Sequence, residues 1–162
     1  MTTLNVLFTL LFWGLNTSVF IESSVSNRNI MNIEQNKLDN SSKSILSRGC
    51  DPFMSQEAAK SIPPLIGNPE YIASTSDDDF IQKLKSRKWS IVFFAPGACR
   101  YNAAQKPIPG ANNDTQGWSL DEYRNMVKEL QGNDIIIVET FNENETVNLL
   151  KDALTKARST NF

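Results

Sequence analysis

Cys99 is the residue of this chain best placed to do chemistry. It closes the stretch Trp89-Ser90-Ile91-Val92-Phe93-Phe94-Ala95-Pro96-Gly97-Ala98-Cys99, an apolar run that must be buried and that stops at a Pro-Gly turn. In α/β proteins reactive groups collect where the carboxyl end of a strand opens into a loop. A thiol delivered there is a candidate nucleophile or mixed-disulfide former, provided that Arg100, Lys106 or a helix N-terminus lowers its pKa. The sequence contains no histidine. That excludes Ser-His-Asp and Cys-His pairs, histidine metal sites and imidazole acid–base catalysis together.

Two further chemistries compete for the loop from Pro96 to Gly117. The backbone amides of Pro96-Gly97-Ala98, joined by Arg100 and Lys106, could bind a small anion. Alternatively, Tyr101 and Trp118 serve as aromatic anchors of a recognition surface. Against all three stands an ordinary surface loop, shaped by Pro96, Gly97 and Pro109, with Trp118 and Tyr123 engaged in packing. Gly97 and Gly110 are too far apart for a phosphate-loop or dinucleotide fingerprint. The acidic residues cluster at helix starts and offer no carboxylate pair for glycosidase-type work. No cofactor and no metal site is expected.

The second cysteine, Cys50, leaves three readings open. It pairs with Cys99 in an oxidising compartment, or Cys99 is a free reactive thiol, or both are buried small hydrophobes.

The elements that position this loop follow from local signals. Ser76 with Asp79 caps a helix whose start is crowded by Asp77, Asp78 and Asp79, with Phe80, Ile81 and Leu84 as its apolar stripe. A cation site on the aspartate triplet is the weaker reading. The strand 90–95 comes next. Ser119 and Glu122 form a capping box, and Trp118 is placed to staple against Tyr123. Leu120, Tyr123, Met126, Val127 and Leu130 make one helical face, ended by Gly132. Ile135–Val138 reads as a buried strand, parallel to and beside Ile91–Phe94. Asn142 with Glu145 opens a last helix with Val147, Leu150, Ala153, Leu154 and Ala157 inward. This alternation predicts an α/β fold, a small parallel or mixed sheet flanked by helices.

The rest of the 162 residues divides by composition. Leu4 to Ile21 is apolar and almost uncharged, which fits a signal peptide over 1–26 cleaved after Ser26, although no Lys or Arg precedes the apolar core. An uncleaved anchor through 4–21 is the alternative. Residues 27–75 read as a polar, proline-punctuated tether, with one helical turn near Ser55–Lys60. The α/β domain is expected over 76–158, followed by a tail at 159–162. Asn40, Asn113 and Asn144 head glycosylation acceptor triplets, relevant in a host with that machinery. Net charge is -2 with no basic run, which argues against nucleic acid as a partner.

Phe93-Phe94-Ala95-Pro96, after a capped helix and a buried strand and with Cys99 close behind, resembles the opening of a thioredoxin-like domain over residues 76–140. The chain departs from that family in three ways. It has one cysteine where the family has a pair, no final hairpin, and no proline after residue 109 to face the site. The resemblance therefore implies a degenerate, single-cysteine thioredoxin-like domain without dithiol oxidoreductase activity. The residues support an exported or membrane-anchored interaction domain, without resolvable catalytic machinery, for a protein or small anionic ligand. Contact with a membrane would come only through an uncleaved N-terminal segment. The alternative is a thiol redox protein using Cys99.

Overall fold

Ile45 and Leu46 are adjacent in sequence, point to opposite faces of one strand and belong to two separate cores. The computed structural model describes residues 39–96 and 108–160. These form β1 (Ser44–Arg48), α1 (Pro52–Ser61), β2 (Glu70–Ser74), α2 (Asp77–Ser86), β3 (Ile91–Phe94), α3 (Leu120–Gln131), β4 (Ile136–Glu139) and α4 (Thr146–Lys156). Single 3-10 turns at Pro63–Leu65 and Glu143–Glu145 precede β2 and α4.

The four strands make one parallel sheet in the order β2-β1-β3-β4. Ile45 stands beside Ile91, and Val92 beside Ile137. The expected α/β fold is the one adopted, and the neighbouring parallel strands 91–94 and 136–139 are as the apolar runs required. Strand order reverses between β1 and β3, because the chain winds outward to β2 and then returns past β1. Such a switch point opens a crevice at the carboxyl ends of the two strands.

Each face carries its own core. Ile45, Ile91, Phe93 and Val138 pack beneath Leu150, Ala153 and Leu154 of α4, with Ala59 and Ile62 at the end of α1 against them. Leu46, Val92 and Phe94 meet Phe80 and Leu84 of α2 and Tyr123 and Val127 of α3. Burial on both faces explains why all four residues of β3 are apolar. The helix starts follow the local code. The Ser76 hydroxyl accepts from the Asp79 amide, and at Ser119 both halves of the capping box are made. Trp118 lies edge-on to Tyr123 with ring centroids 5.4 Å apart, as the staple required.

The expected tether is overturned from residue 44 onward. Residues 38–162 form one compact unit, and β1, inside the segment assigned to a tether, is an interior strand of the sheet. Its sequence, Ser-Ile-Leu-Ser-Arg, has only two apolar residues, yet all five are buried. Buried polar groups are tolerated when paired, and here the partners come from afar. The Ser44 amide donates to the Ser90 hydroxyl at 3.0 Å, and the Ser44 hydroxyl meets that of Thr160 at 2.9 Å. The tail assignment changes for the same reason. Thr160 donates its amide to the Ser42 carbonyl, and Ser159 meets Ser42 at 3.0 Å, so both residues are tied to the start of β1.

Candidate functional site

Two polar constellations lie at the carboxyl edge of the sheet, one on each face. The first is a sealed network beneath α2 and α3. Arg48, the last residue of β1, is fully buried and donates from Nε to Asp77 Oδ1 at 2.7 Å. Its other guanidinium nitrogens reach the carbonyls of Gly49 and Pro109. Asp77 Oδ2 accepts from Thr115 Oγ1 at 2.6 Å and from the Tyr123 hydroxyl at 2.5 Å. Burial, then the hydrogen bond to Asp77 and its charge, holds the Tyr123 phenol well above its ordinary value. The Asp77 amide donates to the Gly110 carbonyl at 2.8 Å. Gly110 has φ +77°, and a Cβ there would stand 2.2 Å from the Thr75 carbonyl oxygen, so only glycine fits this approach.

These bonds fasten the second half of the long loop, 108–117, across the edge of the sheet. The residues involved are buried and mutually satisfied, which describes a clamp rather than a reaction centre. Sequence reading treated Asp77 as one of three helix-start carboxylates; it is instead turned inward to Arg48. Among the described residues no group of three or more His, Cys, Asp or Glu is placed to hold a metal.

The second constellation is open. A cleft of about 410 Å³ lies on the opposite face, walled by α1 and the start of α4 over the carboxyl ends of β1 and β3. Ser47, Tyr71 and Phe93 supply its sheet side, while Met54 and Ala58 of α1 face Thr146 and Val147 of α4. This size falls in the range of small-molecule sites, and the place is the switch-point crevice. Gly49 and Cys50 are also among its lining residues. A Cβ on Gly49 would lie 2.1 Å from Ser55 Oγ, so the missing side chain lets the first turn of α1 approach β1.

Two residues of the lining carry buried hydroxyls. Tyr71 is 8% and Thr146 6% exposed, and neither hydroxyl has a hydrogen-bond partner among the described residues. Burial pushes the Tyr71 phenol up to about 12; the Ser47 hydroxyl stands near enough to act in the opposite sense, without bonding geometry. Leaving a buried hydroxyl unpaired costs about 1–3 kcal/mol. Two large apolar side chains in the first turn of α1 are exposed, Phe53 at 70% and the cleft-lining Met54 at 53%. A larger hollow of about 680 Å³ at the amino edge, near Lys88, Asp134 and Arg158, has no such orphaned groups among its described lining.

The residues named from sequence are scattered with respect to this cleft. Pro96 lines it. Trp118 lies with the other core, against Tyr123. Gly97, Cys99, Arg100, Tyr101 and Lys106 lie outside the described residues. Cys50 is disulfide-bonded. Of the glycosylation candidates, Asn113 and Asn144 are exposed. The Asn40 side chain is engaged: its amide donates to the Ile66 carbonyl at 2.8 Å and its carbonyl oxygen accepts from Lys43 Nζ at 3.1 Å. Sequence reading missed Tyr71 and Thr146 because nothing local distinguishes a hydroxyl that will lack a partner. No helix among the described residues is long and apolar enough to cross a membrane, and the segment 4–21 lies outside them. No family model, curated protein or solved structure matches the chain.

Proposed function

We propose that this chain is an exported α/β binding domain, free or held by its leader, whose ligand site is the cleft between α1 and the start of α4. One observation carries this reading: an open cleft of about 410 Å³, with mixed polar and apolar lining, stands at the switch point of the sheet. The disulfide at Cys50 is assigned to Cys99, the only other cysteine of the sequence. That pairing leaves no resting thiol for redox chemistry. Export is consistent with it, since disulfides persist in oxidising compartments.

The test uses the full-length, isotope-labelled chain and benzyl alcohol as probe. Saturable amide shifts should concentrate on Ala58, Tyr71, Thr146 and Val147, and Val147→Trp, which fills the cleft, should abolish them. Shifts spread over the surface, or unchanged in Val147→Trp, would refute the reading. Intact mass of the exported protein, before and after reduction and alkylation, tests leader cleavage, glycosylation and the disulfide together.

A further inference from the structure

The outer edge of β4 is open. Among the described residues β3 is its only neighbour, and no other segment bonds the backbone of Ile136–Glu139. Half of the peptide groups of a border strand point away from the sheet, and such a row is a template for one more strand. Edges are commonly blunted by proline, lysine or a bulge. β4 has none of these: its sequence is Ile-Ile-Val-Glu, and its register with β3 runs unbroken from Ile136 beside Ile91 to Glu139 beside Phe94. Ile135, Ile136 and Ile137 stay half-exposed although cores lie on both faces of the sheet, because a border strand has a neighbour on one side only. We infer that β4 pairs with β4 of a second copy of this chain, antiparallel across a two-fold axis, joining two four-stranded sheets into one. The proposal is independent of the cleft.

The occupant follows from symmetry and charge. Around a two-fold axis normal to the sheet, each face continues into the same face of the second copy. Side chains alternate between faces, so even positions meet even positions and odd meet odd. With the axis at Ile137, that residue meets its own counterpart and Ile136 meets Val138 of the second copy. Asp134 and Glu139 bracket the apolar run, and their opposite parity keeps them from standing face to face, where like charges would repel. Each also has its own arginine: Arg158 lies 3.3 Å from Asp134, and Arg124 Nε donates to Glu139 Oε1 at 3.1 Å. The edge is thus apolar at its centre and charge-compensated at both ends, and it complements itself better than it would a charged peptide strand. β4 is short, so the dimer forms reversibly and follows concentration.

The test follows the full-length, isotope-labelled chain by sedimentation and by amide hydrogen exchange over about a hundred-fold range of concentration. The mass should rise towards that of a dimer. The outward amides of Ile136–Glu139 should exchange about ten-fold more slowly at the top of the range than at the bottom. Ile137→Lys sets two like charges beside one another across the axis, and should stay monomeric with β4 exchanging as in the dilute natural chain. If that variant fails to fold, the exchange series on the natural chain decides alone. A monomer at every concentration overturns the proposal, as does a dimer whose β4 amides exchange as they do in the monomer, or a folded Ile137→Lys that still dimerises. Protection of β4 that is independent of concentration also overturns it, because a segment of the same chain would then cover the edge.

Discussion

Replacing Asp77 by Asn removes one charge from the sealed network and keeps its shape. Asp77 receives three side-chain donors: Arg48 Nε, Thr115 Oγ1 and the Tyr123 hydroxyl. Asparagine offers one acceptor oxygen and an NH2 group. If the oxygen faces Arg48, the two hydroxyls must turn to accept; if it faces the hydroxyls, the NH2 opposes a guanidinium. In both arrangements Arg48, with no exposed surface, loses the counter-charge of Asp77. Breaking a buried pair in this way costs about 3–5 kcal/mol, against about 5–15 kcal/mol of total stability for a domain. At a urea dependence of roughly 2 kcal/mol per molar, the midpoint should fall by about 2 M. Urea unfolding is followed by tryptophan fluorescence, since Trp118 packs directly on Tyr123. A double-mutant cycle with Arg48→Met isolates the pair, because the double variant should be less destabilised than the sum of the singles. A loss below about 1 kcal/mol in Asp77→Asn, or strict additivity in the cycle, would refute the reasoning.

Three further outcomes follow from the same structure. Burial holds the Tyr71 phenol near 12 against about 10 when unfolded, so the native state keeps a proton that the unfolded chain releases. Its contribution is whole below about pH 10 and is lost as pH rises towards 12, roughly 3 kcal/mol in all; Tyr71→Phe should flatten that part of the alkaline unfolding curve, and parallel curves for both proteins would contradict the assignment. Gly110→Ala should lower the melting temperature well beyond Gly117→Ala, since both have positive φ but only the first would drive a Cβ into the Thr75 carbonyl; equal melting temperatures would remove the steric argument. A chain truncated to begin at Ala73 should show no cooperative thermal transition, because it lacks interior strand β1, whereas one beginning at Leu38 should melt like the full chain.

Much of this fold is written locally. The starts of α2 and α3 are legible from Ser76 and Ser119, whose hydroxyls bond amides three residues on, within reach of any short window of sequence. Ile91–Phe94 and the apolar run at 135–138 announce buried parallel strands because both their faces must be covered. The sequence by itself thus determined the α/β class, the second half of the sheet and the helices that flank it.

Only the tertiary structure decided the rest. Ser44–Arg48 carries no strand signal, because three of its five residues are polar and become tolerable only when Ser90, Thr160 and Asp77 arrive beside them. Asp77 reads as a helix-start carboxylate until Arg48, 29 positions earlier, and Tyr123, 46 positions later, converge on it. The cleft is assembled from positions 47 to 147, and the two buried hydroxyls of its lining residues are defined by what they fail to meet. Caps and apolar runs are short-range interactions that survive in the sequence as patterns. Pairing of buried polar groups is long-range, and exists only once the chain has brought its partners together.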